Sequence, residues 1–113
     1  MEFYFWKASD GKLPVKEFIR REIDKQNAGK FWQRLEFFRE LSISSMWREQ
    51  HLGHYDHELD YLRIILKGVY CRIFCIVEGQ KCILFHAFIK KGNKIPAKEA
   101  KIAKERVRIY KSR

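Results

Sequence analysis

No apolar run in this 113-residue chain comes near the roughly 20 residues that a membrane span needs, because charged side chains interrupt each one at strand length. The opening stretch, MEFYFWKASD, lacks the basic start and the long apolar segment of a secretory signal. Both absences point to a protein that stays in the cytoplasm and has no membrane partner. Cysteine is scarce and odd in number. Cys71, Cys75 and Cys82 sit inside strand-like runs, which argues against a secreted disulfide framework and for reduced core thiols. Internal repeats and low-complexity segments are missing as well. Acidic residues are few, with 14 Asp or Glu against 24 Lys or Arg.

What is present is enough for one real core: 46% of the residues are apolar, and the length suits a single domain spanning 1–113. The formal charge of +10 is uneven. Between Lys90 and Arg113, ten Lys or Arg stand against Glu99 and Glu105, a balance of +8. Such asymmetry suggests a polyanionic partner, nucleic acid or an acidic protein surface, although Lys-rich faces are often only solvated.

Periodicity divides the chain into elements. Glu2 to Trp6 reads as a β-prone strand, followed by turn chemistry at Ser9, Asp10 and Gly11. From Pro14, the spacing of Val15, Phe18, Ile19 and Ile23 predicts a helix that breaks at Asn27, Ala28 and Gly29. Phe31, Leu35 and Phe38 predict a second helix from about Lys30, fading after Leu41, so the two make a helical hairpin. Residues 42–60 read as a loop with a turn at Gly53. Three strands follow, Tyr61 to Lys67, Val69 to Val77 and Lys81 to Ile89, joined by short turns into an antiparallel meander. Beyond Gly92-Asn93 and Pro96, a last basic helix carries Ala100, Ala103, Val107 and Tyr110 on one face. The expected architecture is α/β of the α+β type, with helices covering one face of a small sheet.

Alternation along the strands assigns faces. Arg63 and Lys67 share a side with Tyr61 and Ile65, Arg72 lies in the otherwise apolar row of Tyr70, Phe74 and Ile76, and His86 falls with Leu84 and Phe88. If the helices cover the side of Leu62, Ile64, Ile73 and Val77, the other side is an open sheet of cations and aromatics. Such a surface neutralises phosphates and stacks bases. Lys90, Lys91 and Lys94 would rim it. A blander alternative pairs Arg63 and Arg72 with Asp60 or Glu78 to hold the sheet. His51, His54 and His57 recur every third residue, a spacing that matches no common zinc motif.

The stretch YLRIILKGVYCRIFCIVEGQKCILFHAFIKKGNKIPAKEAKIAKERVRIY resembles the C-terminal half of the RelE/HigB superfamily of toxins, and most of all its phage-derived, HigB-like branch. The residues that carry the resemblance are Leu62-Arg63, Gly68, Arg72-Ile73-Phe74, His86, Phe88, Lys90-Lys91, Lys94-Ile95-Pro96, Ala103, Arg106 and Tyr110. Leu13-Pro14-Val15 through Phe18 resembles the family's helical opening. Tyr61 stands where a Glu usually precedes Leu62-Arg63, and Cys71 where a Tyr is common.

The resemblance implies a RelE-like fold: a mostly antiparallel twisted sheet, two N-terminal helices on one face and a basic C-terminal helix. It further implies an endoribonuclease toxin that cuts mRNA on the ribosome, with neither metal nor cofactor. An antitoxin encoded beside it, a helix-turn-helix protein, would hold it inactive in a hetero-oligomer. The same superfamily fold also serves ParE-like inhibitors of DNA gyrase, and a phage homologue that only binds is a further alternative. Metal-free RNA cleavage needs a base for the 2′-hydroxyl, cations for the phosphorane and an acid for the 5′-oxygen. On this basis Arg63 and Arg72 are the expected phosphate ligands, Lys91 and Lys94 the electrostatic rim, and His86 the candidate acid or base. Lys67, Phe88, Lys90, Arg106 and Tyr110 are the expected RNA contacts, though Phe88 and Tyr110 fit a core role equally well, and a single histidine in an apolar strand, such as His86, is more often a hydrogen-bonded core residue than a catalyst.

Overall fold

The computed structural model describes all residues from Met1 to Arg113. It is an α+β fold of one five-stranded mixed sheet and four helices. The strands are β1 (Glu2–Phe5), β2 (Leu52–His54), β3 (Asp60–Leu66), β4 (Val69–Glu78) and β5 (Lys81–Ile89). The helices are α1 (Pro14–Glu22), α2 (Lys25–Arg39), α3 (Ile43–Arg48) and α4 (Ala97–Ser112). Sheet order is β1-β5-β4-β3-β2, with β1 parallel to β5 and every other pair antiparallel. None of the helices is long and apolar enough to cross a membrane.

The β3–β4–β5 meander forms because the strands are β-prone apolar runs, buried on both faces through most of β4 and β5, and each connection is too short to do anything but reverse the chain. Gly68 and Gly79 take the left-handed conformation that the two tight turns require, with φ of 71° and 63°. Pro14 opens α1, where its missing N–H is no loss. The break between α1 and α2 comes earlier than Asn27–Gly29: Asp24 caps α2, accepting from the Asn27 N–H at 3.0 Å and from Asn27 Nδ2 at 3.0 Å. Asn27 therefore starts a helix instead of ending one, and Nδ2 also donates to the Lys67 carbonyl at 3.2 Å. The expected loop over 42–60 holds α3, capped by Ser42, and β2, which pairs with β3.

The sheet is packed on both faces. On one, Val15, Ile19, Phe31, Leu35 and Phe38 of α1 and α2 meet Leu62, Ile64, Ile73, Cys75 and Leu84. On the other, Ala100, Ala103 and Val107 of α4 pack on Phe74, Ile76, Ile83, Phe85 and Phe88. The two alanines let the helix approach large aromatic rings closely. The expected fully open face is therefore only partly open, because α4 covers its β4–β5 half. All three cysteines are free and buried, and burial pushes the Cys71 thiol up to about 12.

A register shift between Phe74 and Cys75 matters for the site. Phe74 pairs with His86 and Cys75 with Leu84, so Phe85 is the extra residue of a β-bulge. The bulge turns Leu84 to the α1–α2 side while His86 and Phe88 remain on the α4 side. Leu84 and His86 thus do not share a face, as unbroken alternation would have had it.

Candidate active site

Cross-strand register lays out the α4 face, from its covered to its uncovered part, as three rows. Tyr61, Phe74 and His86 form one, Arg63, Arg72 and Phe88 the next, and Ile65, Tyr70 and Lys90 the last. Strand spacing of about 4.8 Å puts the first and third members of each row about 10 Å apart. Phe74 and Phe88 are buried under α4, whereas Ile65 is 61% and Tyr70 52% exposed. Lys67 is exposed in the β3–β4 turn at the open end of this strip.

Arg63 and Arg72 face each other across β3 and β4. Like charges directly opposite on a sheet repel, and neither arginine has a carboxylate to relieve it. Asp60 accepts instead from His54 Nδ1 at 2.9 Å, and Glu78 from the Tyr110 hydroxyl at 2.9 Å. The pairing of these arginines with Asp60 or Glu78 is thus not what the sheet uses. Arg63 is tethered through Nη1 to the Gln50 carbonyl at 2.9 Å and through Nη2 to the Tyr61 hydroxyl at 2.9 Å. Arg72 is 8% exposed, and its Nε and Nη1 find no acceptor at all. Burial first, and then the Arg63 charge, lower its pKa from the ordinary guanidinium value. Both guanidiniums lie against the Tyr61 ring, 4.9 and 5.8 Å from its centre.

Sequence reasoning placed both arginines here but did not single out Tyr61 or Tyr70. Their alternation with Arg63 and Arg72 was the available signal. The lysines end the strip. Lys90 continues the β4–β5 ladder, its N–H donating to the Tyr70 carbonyl at 2.8 Å, while Lys91 and Lys94 are exposed in the turn before α4. No carboxylate pairs with any of the three.

His86 belongs to a different cluster. Its Nε2 is 3.2 Å from Glu99 Oε1, and Arg106 Nη1 donates to Nδ1 at 3.3 Å and to the Phe85 carbonyl at 2.8 Å. A guanidinium can only donate, so Nδ1 is the acceptor and Nε2 carries the proton toward Glu99. Both ring nitrogens are engaged. Burial is the main cause that lowers the His86 pKa, with Arg106 adding to it and Glu99 opposing it. The ring borders two adjoining cavities of about 330 and 720 Å³, which also share Phe18, Arg21 and Ala87. Lys91 lines the larger one. Arg106 and His86 therefore tie α4 to β5 in the row next to the arginine pair. Tyr110 packs edge-on against Phe85, with ring centres 5.5 Å apart, and Phe88 is buried. His51, His54 and His57 each go to a separate carboxylate: Glu49, Asp60 and Glu58.

A histidine whose folded pKa lies below its unfolded value of about 6.5 binds fewer protons when folded, so stability is gained above that value and lost as pH falls through the folded pKa. The wild type should thus lose urea resistance below about pH 6.5 more steeply than His86→Gln. Parallel curves for the two proteins would show that His86 is not held neutral. His51 is shifted the same way, by burial and Arg34, and is common to both proteins.

A small basic α+β protein thus holds, on one sheet face, a buried arginine without an acceptor beside an exposed tyrosine. Residues 17–108 match the family described as phage derived protein Gp49-like (DUF891), and the chain belongs to that family. The family lies in the RelE/HigB-like toxin–antitoxin context. No match was found among curated proteins.

Proposed function

We propose that this chain is the toxin of a type II toxin–antitoxin pair, of the HigB-like branch, and that it cuts mRNA on the ribosome without a metal. The observation that carries this reading is Arg72, a charge more than nine-tenths buried with no acceptor and a second cation opposite. Nε and Nη1 are left without acceptors, an unfavourable burial that a backbone phosphate in the strip relieves. Exposed Tyr70 beside it offers a ring for base stacking, worth about 1–3 kcal/mol per base.

In the reaction, the 2′-oxygen attacks the adjacent phosphorus and the bond from phosphorus to the 5′-oxygen breaks. Arg72 and Arg63 stabilise the charge of the phosphorane, and Lys90, Lys91, Lys94 and Lys67 draw the strand onto the strip. His86, Glu99 and Arg106 anchor α4 behind it. Phe88 and Tyr110 support the strip by packing and do not touch RNA. The antitoxin, a helix-turn-helix protein encoded nearby, covers the basic strip with an acidic segment in a hetero-oligomer.

The test is to add the purified chain to reporter mRNA with and without translating ribosomes. Discrete cuts that need ribosomes support the proposal. Intact RNA together with inhibited DNA supercoiling contradicts it and favours the gyrase-inhibitor alternative. Lys91→Ala and Lys94→Ala should each take about 0.7 off the slope of log affinity for single-stranded RNA against log salt. An unchanged slope in fluorescence anisotropy would remove these lysines from the interface.

A further inference from the structure

Tyr61 presents a hydroxyl whose oxygen is held and whose proton is free. Arg63 Nη2 donates to the oxygen at 2.9 Å, and no acceptor within the protein takes the O–H. The ring is fixed from several sides. Gly53 lies opposite Tyr61 in the β2–β3 pair, and a Cβ added there would sit 2.5 Å from Cζ and 2.7 Å from both Cε atoms. The ring therefore lies across the bare backbone of β2, in space that only glycine leaves. Phe74 meets it edge-on at 6.5 Å, and the Arg63 and Arg72 guanidiniums lie 4.9 and 5.8 Å from its centre. A phenol in this setting is a donor directed by its neighbours.

We infer that Tyr61 is the general acid of the site and protonates the departing 5′-oxygen of the RNA. This inference rests on the ribonuclease reading above. As the 2′-oxygen bonds to phosphorus, its proton passes to water. The electron pair of the breaking bond goes to the 5′-oxygen, which takes the Tyr61 proton. The products are a 2′,3′-cyclic phosphate and a 5′-hydroxyl end, and the phenolate, still accepting from Arg63 Nη2, recovers its proton from solvent. The role needs no histidine, in keeping with the engagement of both His86 nitrogens by Glu99 and Arg106.

The experiment uses ribosomes programmed with two mRNAs, identical except that the scissile linkage carries either the normal 5′-oxygen or a bridging 5′-sulfur. A sulfur leaving group departs as thiolate and needs no acid. Tyr61→Phe should cut the oxygen linkage about 100-fold more slowly at saturation or worse, with the half-saturating ribosome concentration unchanged, and cut the sulfur linkage at the wild-type rate. Gly53→Ala keeps the hydroxyl but displaces the ring, and it should show the same loss on the oxygen linkage. Equal slowing of Tyr61→Phe on both linkages would make the residue structural and overturn the inference. Wild-type cleavage of the oxygen linkage by Tyr61→Phe would overturn it too, with the ribonuclease reading intact. A wild type that cuts neither mRNA would overturn both.

Discussion

Arg72→Met is expected to make the protein more stable and inactive in the same step. The methionine fills most of the arginine's volume and removes a charge that nothing in the fold neutralises. Buried ionic groups replaced by apolar ones of similar size commonly gain about 1–4 kcal/mol, and a gain in that range should appear as a higher urea midpoint at unchanged slope. Cleavage on the ribosome should fall by about 100- to 1,000-fold, the usual consequence of removing one donor from a developing charge. The two changes in opposite directions are the diagnostic result. A structural arginine would lower stability when replaced, and a bystander would leave cleavage alone.

Phe74→Ala should have the largest effect on the fold. Phe74 is fully buried between the sheet and α4, stacked on Phe88 with centres 5.4 Å apart and edge-on to Tyr55 at 5.3 Å. Truncating such a ring costs about 3–5 kcal/mol in transfer and cavity terms, a large share of the roughly 5–15 kcal/mol that a domain has. Because Phe74 also supports Tyr61, the remaining folded fraction should cleave poorly. Phe37→Ala is the control, since that ring is 46% exposed. Its urea midpoint should barely move, and similar losses for both variants would show that α4 does not depend on the second core.

The meander was legible because β3, β4 and β5 are apolar, β-prone runs of strand length set between glycine turns, and α1 because Pro14 and the 3.6-residue spacing agree. The rest was hidden for specific physical reasons. The six-residue α3 and three-residue β2 are too short to show a period, and β2 exists only through its pairing with β3. Asn27-Ala28-Gly29 looks like a breaker until the Asp24 cap is seen. The bulge at Phe85 leaves no mark in an apolar run, so counting by twos put Leu84 and His86 together. The site divides in the same way. Arg72 could be singled out as a cation in an apolar row, but its lack of a partner is a tertiary fact. The engagement of His86 by Glu99 and Arg106 joins residues 13 and 20 positions apart, and no local pattern announces it. Gly53 looked like a turn and proves to be the floor under Tyr61.

Toxicity by this route requires that the arginine strip handle RNA. Primer extension on a translated reporter mRNA, with the purified wild type and Arg72→Met run side by side, asks this directly. Discrete cuts that appear only with ribosomes and disappear in a folded, more stable Arg72→Met are the expected result. Identical cuts by both proteins, or uncut mRNA with a folded wild type, would contradict it.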